Sequence, residues 1–369
     1  MRRDLSCITD VMPTALSLLT TNPWSEHNLL ETRAQTHVDH VIVWVIDGLG
    51  YDQVVKALTA GWMPNLGARL NSPDNHLERL TTVNPSMTPV ALASLLTGAY
   101  PSKHGLLGQA LYDNGQAIDV FKGPLPESFG LASPTIAYMA ERLGVPYHAV
   151  LDHRILKGAL TQLLHRDTHH ISTYIRDSGL SAVANHVLAK DDRSLIYLYS
   201  SGIDAINHRR GAYTAEWVAE IQSIDRHLEN FQSPLGQTTS LWITADHGHI
   251  PIHGEISYTD LAAELPWLPP QPAAVGTAIS VNVESMDALH DALHRITTIP
   301  VRIASTADYA ARGYFGPGDV SAFLNRLGTH LIIPEPGFSW AISPSEPLCW
   351  SHGGNHPEEM AIPWIEIKL

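Results

Sequence analysis

The stretch HVIVWVIDGLG at residues 40–50 decides the fold class of this chain of 369 residues. It is a continuous apolar run that ends in an Asp-Gly pair, a pattern typical of a buried parallel strand with its loop at the carboxyl end. Two later runs, SLIYLYSSGID at 194–204 and SLWITADHGH at 240–249, have the same design, and the segment 213–231 between them has apolar residues at helical spacing. Strands that alternate with helices predict an α/β fold with a mostly parallel central sheet and helices on both faces.

The rest of the chain predicts one domain over residues 1–369, with its core from about residue 36. Two segments, about 110–193 and about 251–340, are rich in Pro, Gly and His and contain mixed short elements. The second holds the strand-like TAISVNVES, the helical MDALHDALHRI and the strand-like VRIAS. We therefore expect a smaller inserted α+β cap.

The composition excludes some classes of function. Hydrophobic residues make up 44% of the chain and charged residues 16%, as in a globular protein. The net charge of −14 argues against a protein that coats nucleic acid, although bound cations still allow a phosphate substrate. No apolar run reaches the length of a membrane span or of a signal peptide, so we expect a cytoplasmic protein without a membrane span.

Acidic residues and histidines follow the predicted strands where each strand ends. Ligands of parallel sheets bind beyond the carboxyl ends of the strands, and carboxylate with imidazole suits zinc, whereas carboxylates alone suit manganese or magnesium. Each residue alone is more often a helix cap, a turn residue or a surface neighbour, and we interpret His104, His249 and His356 as surface groups or groups behind the ligands. Together the remaining residues suffice for two metal ions: Asp47, Asp204, His208, Asp246, His247 and His352.

Thr88, in the segment NPSMTPVALASLLTG at 84–98, has two compatible interpretations. Pro89 at the first helical position and Gly98 just past the end predict a helix over roughly 89–97, and Thr is a favoured cap. A helix N-terminus also attracts anions, and a hydroxyl beside a divalent cation is able to attack phosphorus.

The motifs together resemble the alkaline phosphatase superfamily, and more closely its type I phosphodiesterase/nucleotide pyrophosphatase family in a bacterial-type pattern. They stand in the family's order from about residue 40 onward: VIVWVIDGLG, NPSMTPVALASLLTGAYPSKHGLLG, GIDAINHRRG, ITADHGH and SHGGNHPEEMAIPW. The resemblance implies an alkaline-phosphatase-like fold. Sulfatases need a Cys or Ser in a setting that is absent here, and cofactor-independent phosphoglycerate mutases have a serine nucleophile and a longer chain.

The resemblance also assigns roles to the site residues. It implies that Thr88 is the nucleophile, that Thr88 with Asp47, Asp246 and His247 holds one zinc ion, and that Asp204, His208 and a later histidine hold the other. We choose His352 for that place because the family's histidine directly precedes a glycine, and we keep His356 in reserve. Manganese is the second choice of metal.

Two departures from the family pattern concern the substrate. The eukaryotic enzymes have Phe-Pro-Asn after the threonine, whereas this chain has Pro89-Val90-Ala91. Gln109 stands near the place of an asparagine that binds a phosphate oxygen in the family, and its amide donates the same kind of N–H from a longer side chain. We therefore interpret Gln109 as a substrate-binding residue.

The predicted function is that of a metal-dependent phosphoric ester hydrolase. It cleaves phosphodiester or pyrophosphate bonds of a small-molecule or nucleotide substrate through a phosphothreonine at a two-zinc site. The alternatives are a phosphomonoesterase or phosphonate hydrolase with the same metals, or, in a different class, a catalytically silent protein that binds a phosphate ligand. The silent protein is disfavoured because the nucleophile and the metal ligands are all in the sequence.

Overall fold

The computed structural model describes residues 6–20, 29–32, 38–342 and 347–369. The strands in these ranges are β1 (His40–Ile46), β2 (His76–Thr81), β3 (Ala110–Asp113), β4 (Gln116–Asp119), β5 (Tyr147–Asp152), β6 (His170–Tyr174), β7 (Ser194–Ser200), β8 (Thr239–Thr244), β9 (Ile250–Pro251), β10 (Gly254–Ser257), β11 (Ala273–Val275), β12 (Ala278–Val281), β13 (Val301–Ser305), β14 (His330–Pro334), β15 (Phe338–Ala341), β16 (Trp350–Ser351) and β17 (Ala361–Lys368).

The α-helices in the same ranges are α1 (Val11–Leu18), α2 (Tyr51–Thr59), α3 (Pro64–Arg69), α4 (Thr88–Thr97), α5 (Pro101–His104), α6 (Ile136–Arg142), α7 (Ala159–Leu164), α8 (Leu180–Leu188), α9 (Gly202–Arg210), α10 (Ala215–Asn230), α11 (Tyr258–Glu264), α12 (Met286–Ile296), α13 (Thr306–Ala311) and α14 (Pro357–Met360). Short 3-10 turns cover Ile8–Asp10, Asp177–Gly179 and Ser321–Arg326. No helix in the described ranges is long and apolar enough to cross a bilayer.

A seven-stranded sheet with the order β2-β17-β8-β1-β7-β5-β6 forms the centre of the molecule. β1 pairs in parallel with both β7 and β8, and all of its residues are buried, as its continuous apolar sequence predicts. β17 is antiparallel to its neighbours β2 and β8. Helices flank this sheet, and the predicted α/β fold with a mostly parallel central sheet is therefore confirmed.

The carboxyl ends of β1, β7 and β8 meet at one edge of the central sheet because these three strands are parallel and in register. His40 at the start of β1 lies opposite Ser194 of β7 and Thr239 of β8, and the pairing continues to the ends of the strands. The loops after the three strands consequently bring sequence-distant residues together.

A second sheet of six strands, β13-β14-β12-β11-β3-β4, is antiparallel throughout. It joins strands from both segments in which the sequence predicts a cap, and it has its own apolar cluster with α11 and α12. Only part of the first segment belongs to this second sheet, however, because its strands β5 and β6 belong to the central sheet. β5 is buried along its whole length and pairs in parallel with β7, and β6 pairs in parallel with β5 as the edge strand of the sheet. The division of the chain into a core and a cap stays a prediction.

Candidate metal centre

Polar residues follow β1, β7 and β8 at the edge of the central sheet where these three strands end. Asp47 directly follows β1, Asp204 lies in the first turn of α9 after β7, and the Asp246-His247 pair follows β8. Gly48 has a φ of 72°, so the chain turns sharply after Asp47 in a conformation that glycine adopts without strain. The structure thus brings together the three carboxylates that the sequence placed at three strand ends.

One cluster consists of Asp47, Asp246, His247 and the hydroxyl of Thr88. The Nε2 atom of His247 lies 3.4 Å from Asp47 Oδ1 and 3.2 Å from Asp246 Oδ2. The same Nε2 atom lies 3.1 Å from Thr88 Oγ1. Two carboxylates, an imidazole and a hydroxyl therefore surround one position, and the two carboxylates and the imidazole have the spacing of metal ligands.

A second cluster consists of Asp204, His208, His249 and His352. Asp204 Oδ1 lies 3.2 Å from Nε2 of His208, 3.1 Å from Nε2 of His249 and 3.7 Å from Nε2 of His352. Asp204 and His208 are one turn apart in α9, so the predicted placement of both on one helix face is confirmed. The rings of His247 and His352 stack with centroids 3.5 Å apart, which joins the two clusters.

The four histidines share one hydrogen-bond pattern, in which Nδ1 contacts a backbone carbonyl. The acceptors are Trp350 O for His208 at 2.9 Å, Gly248 O for His247 at 3.1 Å, Gly48 O for His249 at 3.1 Å and Ser86 O for His352 at 2.8 Å. A carbonyl oxygen only accepts, so Nδ1 carries the proton and Nε2 of the neutral ring keeps its lone pair. This is the arrangement of histidines that bind metals through Nε2.

Several buried polar atoms of the two clusters have no hydrogen-bond partner among the described residues. They are Asp47 Oδ1, Asp204 Oδ1, Asp246 Oδ2 and His249 Nε2. Buried polar atoms are normally paired, and four unpaired acceptors that face each other are expensive unless a cation lies between them. The donor set, with oxygen and imidazole nitrogen, fits zinc.

The pKa values of Asp47, Asp246 and His247 also favour a cation at this site. Burial, together with the charges of Asp246 and Asp204, raises the pKa of Asp47 well above its ordinary value. Burial, with a further contribution from Asp204, raises the pKa of Asp246 to about 6. Burial also lowers the pKa of His247 to about 3, with help from His249, so this ring stays neutral at physiological pH. Carboxylates that resist ionisation next to neutral imidazoles form a site that divalent cations stabilise.

Thr88 is the first residue of α4, one position earlier in the helix than the sequence predicts. The N-cap position belongs to Met87, whose side chain makes no capping bond, and Pro89 is the second helical residue. The capping interpretation of the Thr88 hydroxyl is therefore wrong, because that hydroxyl contacts Nε2 of His247. The predicted end of the helix is confirmed, since Gly98 has a φ of 64° directly after Thr97.

The remaining histidines of the sequence prediction fall into different environments. His104 is structural, because its Nε2 contacts Ser94 Oγ at 2.9 Å and its Nδ1 accepts from the Leu106 N–H at 3.1 Å. His356 lies outside both clusters and is the N-cap of α14. His352, rather than His356, is the histidine that the structure brings to Asp204.

His249 is the cluster residue that the sequence prediction missed. Its Nε2 belongs to the Asp204 cluster and its side chain is completely buried, so the interpretation as a surface group is wrong. Tyr199 was also missed, although its hydroxyl donates a hydrogen bond to Asp47 Oδ2. The available signals were the second histidine of the ADHGH motif and the alternation of tyrosines in β7.

An open cavity of about 280 Å³ lies over the two clusters. Thr88, Asp204, His208 and His352 form part of its wall, and the second sheet contributes Ala278 and Ile279. Gln109 lines the same cavity, with its amide 3.5 Å from Asp119 Oδ2. Gln109 therefore lies in the wall of the same cavity as Thr88, and its role in substrate binding stays a prediction.

Solved structures of other proteins share the fold of this chain over most of its length. Phosphonoacetate hydrolase from Sinorhizobium meliloti 1021, in complex with phosphonoformate, has a TM-score of 0.66 and 20% identity, with 88% of this chain and 89% of that chain covered. Human ectonucleotide pyrophosphatase/phosphodiesterase 5 has a TM-score of 0.70 and 17% identity, with coverage of 89% and 87%. These likenesses show the fold.

Two sequence comparisons give the family. A venom phosphodiesterase of Macrovipera lebetinus is 25% identical over 228 residues, which are 56% of this chain. The matched part is 25% of the venom protein, so the chain spans about a quarter of that relative's length. The family model of type I phosphodiesterase/nucleotide pyrophosphatase matches residues 41–356, which contain both clusters. The chain therefore belongs to the type I phosphodiesterase/nucleotide pyrophosphatase family, a family of hydrolases.

Proposed function

We propose that this protein is a metal-dependent hydrolase that cleaves phosphodiester or pyrophosphate bonds of small-molecule or nucleotide substrates, with Thr88 as the nucleophile. The observation that carries the proposal is the position of the Thr88 hydroxyl. It lies 3.1 Å from His247 Nε2, within a cluster of metal-ligand spacing, and borders the open cavity. The neighbouring hydroxyl of Ser86, in contrast, donates to Gly354 O at 3.0 Å and lies 3.1 Å from Glu359 Oε2.

The two clusters supply the residues for two divalent ions. Asp47, Asp246 and His247, with Thr88, would hold one ion, and the cluster around Asp204 would hold the other. Zinc fits the mixed oxygen and nitrogen donors best, and manganese is the second choice. An ion at the Asp47 cluster would polarise a phosphoryl oxygen and lower the pKa of the Thr88 hydroxyl.

The chain's own residues then perform the chemistry. The Thr88 oxygen attacks phosphorus as the bond to the leaving oxygen breaks, and the leaving group departs as an alcohol with the proton of the hydroxyl. The phosphothreonine that forms still carries the other organic group of a diester. Water then cleaves the bond between the Thr88 oxygen and phosphorus, which restores the hydroxyl and releases a phosphomonoester. Thr88 opens α4, a helix of ten residues, and the positive end of its dipole favours the anionic phosphoryl group at this position. Gln109 donates its amide N–H to a phosphoryl oxygen.

The family and the cavity over the clusters support a substrate with an organic group on the phosphorus. The family model is named for phosphodiesterase and nucleotide pyrophosphatase activity and matches residues 41–356. The cavity over the clusters has the apolar residues Phe121, Ile279 and Trp340 in its wall, and these suit an organic group beside the phosphoryl group. We therefore favour a diester or a pyrophosphate over a monoester.

The test is turnover of matched chromogenic substrates together with metal analysis. We expect close to two transition-metal ions per chain and faster hydrolysis of bis-p-nitrophenyl phosphate than of p-nitrophenyl phosphate. Phosphonoacetate serves as the third substrate. Preference for the monoester or for phosphonoacetate would replace the diester assignment, and metal-loaded protein without activity on any of the three would favour a silent phosphate-binding protein.

A further inference from the structure

His249 follows a glycine, Gly248, that packs closely against two other stretches of backbone. A Cβ atom at Gly248 would stand 2.2 Å from Glu358 O and 3.2 Å from the Cα of Gly50. Only glycine allows this close packing, and the residues on its two sides lie in different clusters, His247 in one and His249 in the other. One short motif therefore serves both halves of the site.

The three rings around Asp204 are arranged alike. The ring centroids of His208, His249 and His352 are 5.0 Å, 4.9 Å and 5.1 Å apart, pair by pair. Each ring directs Nε2 toward Asp204 Oδ1. His249 is as much a part of this triangle as the two histidines to which the family resemblance gives a ligand role.

The hydrogen bonds of His249 leave its Nε2 available to a cation. Its Nδ1 lies 3.1 Å from Gly48 O and 3.2 Å from the side-chain amide nitrogen of Asn207. In the tautomer whose Nδ1 donates to the carbonyl oxygen, the neutral ring presents a lone pair at Nε2. That atom lies 3.1 Å from Asp204 Oδ1, and both atoms are buried without a hydrogen-bond partner among the described residues. Two lone pairs at this distance repel each other unless a positive charge lies between them.

We propose that His249 is a fourth protein ligand, through Nε2, of the metal ion held by Asp204, His208 and His352. The inference rests on the metal site of the proposed function. Three imidazoles and one carboxylate complete a tetrahedral shell, as in sites that hold zinc permanently. The Asp47 cluster supplies three such ligands and the Thr88 hydroxyl, so the two ions differ, with the Asp204 site as the tighter one.

The test measures ligands and metal retention, without reference to turnover. Purified protein is stripped with a chelator and reloaded with one equivalent of zinc, and X-ray absorption then counts the imidazoles bound per ion. We expect three in the wild type and two in His249→Gln. His253→Gln is the matched control, because His253 is a nearby histidine that lies outside both clusters, and we expect it to keep three.

Zinc affinity provides the second readout. Loss of a residue that only orients a ligand weakens metal binding by about 10–100-fold, so we expect a loss above about 100-fold for His249→Gln and no loss for the control. Two imidazoles or fewer in the wild type would overturn the inference and leave His249 as a hydrogen-bond donor to Asp204. This measurement needs no variant, so it remains decisive if His249→Gln fails to fold.

The outcomes also separate this inference from the proposed function. Three imidazoles in a protein that hydrolyses none of the substrates would support the fourth ligand and contradict the hydrolase. Hydrolysis with two imidazoles at the Asp204 site would contradict the fourth ligand alone. A wild-type protein that retains no zinc, manganese or other transition metal would overturn both.

Discussion

Replacement of Thr88 by valine separates the nucleophile from a structural role. Valine keeps the shape of threonine and removes the hydroxyl, and the two residues have similar helix propensities. Among the residues that the structure describes, the Thr88 hydroxyl contacts His247 Nε2, at 3.1 Å. A single hydrogen bond of this kind contributes about 0.5–1.5 kcal/mol to the free energy of unfolding, so we expect only a small loss of stability.

The expected loss of turnover is much larger than the loss of stability. Removal of a nucleophile in a serine hydrolase lowers kcat by about 10⁶-fold, which corresponds to about 8 kcal/mol in the activation barrier. We expect Thr88→Val to lose at least about 10³-fold, or about 4 kcal/mol, because bound ions still activate water directly. If the hydroxyl had only a structural role, turnover would fall by about tenfold at most, since 1.4 kcal/mol corresponds to a factor of 10.

The assay is hydrolysis of bis-p-nitrophenyl phosphate by metal-loaded protein, with urea unfolding measured in parallel. Thr97→Val is the matched control, because Thr97 is a buried threonine at the other end of the same helix whose hydroxyl donates to Ala93 O at 2.6 Å. We expect this control to lose about 1 kcal/mol of stability and to keep its turnover. In the wild type, an acid-quenched reaction should contain protein with the added mass of one p-nitrophenyl phosphoryl group, because only one of the two p-nitrophenolates leaves in the first step. Near-normal turnover by Thr88→Val would refute the assignment of the nucleophile.

Three further perturbations test the site. Removal of metal with a chelator should abolish turnover and lower the melting temperature, and zinc or manganese should restore both; activity that survives in metal-free protein would contradict the proposal. Because the pKa of Asp246 rises from 3.8 to about 6 on folding, chiefly through burial, its ionisation costs stability as the pH rises through this interval. Metal-free wild type should therefore lose stability relative to metal-free Asp246→Asn between pH 4 and 7, by on the order of 3 kcal/mol in urea unfolding, and a constant difference would refute this reasoning. Tyr199→Phe removes the hydrogen bond to Asp47 and should weaken the second zinc equivalent by about 10–100-fold in titration calorimetry, while Tyr197→Phe in the same strand should leave it unchanged.

The strand-end carboxylates were predictable from the sequence because the physics of parallel sheets is general. Apolar runs that end in Asp and Gly give both the strands and the edge at which they meet, so Asp47, Asp204 and Asp246 follow from pattern alone. His208 follows from helical spacing. His352 lies in a loop without periodicity, so the sequence made it one candidate among several histidines, and the family resemblance favoured it over His356.

His249 and the second sheet were not predictable in this way. The placement of His249 depends on the packing of Gly248 against the backbone of Glu358, more than 100 residues away in the sequence. The strand order of the second sheet joins residues 110–119 with residues 273–334, and no local pattern encodes such a pairing. The early start of α4 is a difference of one residue at a helix end, which the sequence pattern defines less sharply than the helix itself.

The position of β17 gives this protein an order of assembly. Residues 361–368 insert between β2 and β8, whose other contacts involve segments synthesised far earlier. Until they emerge from the ribosome, those two strands present open hydrogen-bonding edges within the largest sheet, and such edges attract other chains. His352 is also synthesised late, only nine residues before β17 begins. We therefore expect the nascent chain to depend on chaperones until its synthesis reaches β17, and the Asp204 cluster to remain incomplete until His352 has emerged.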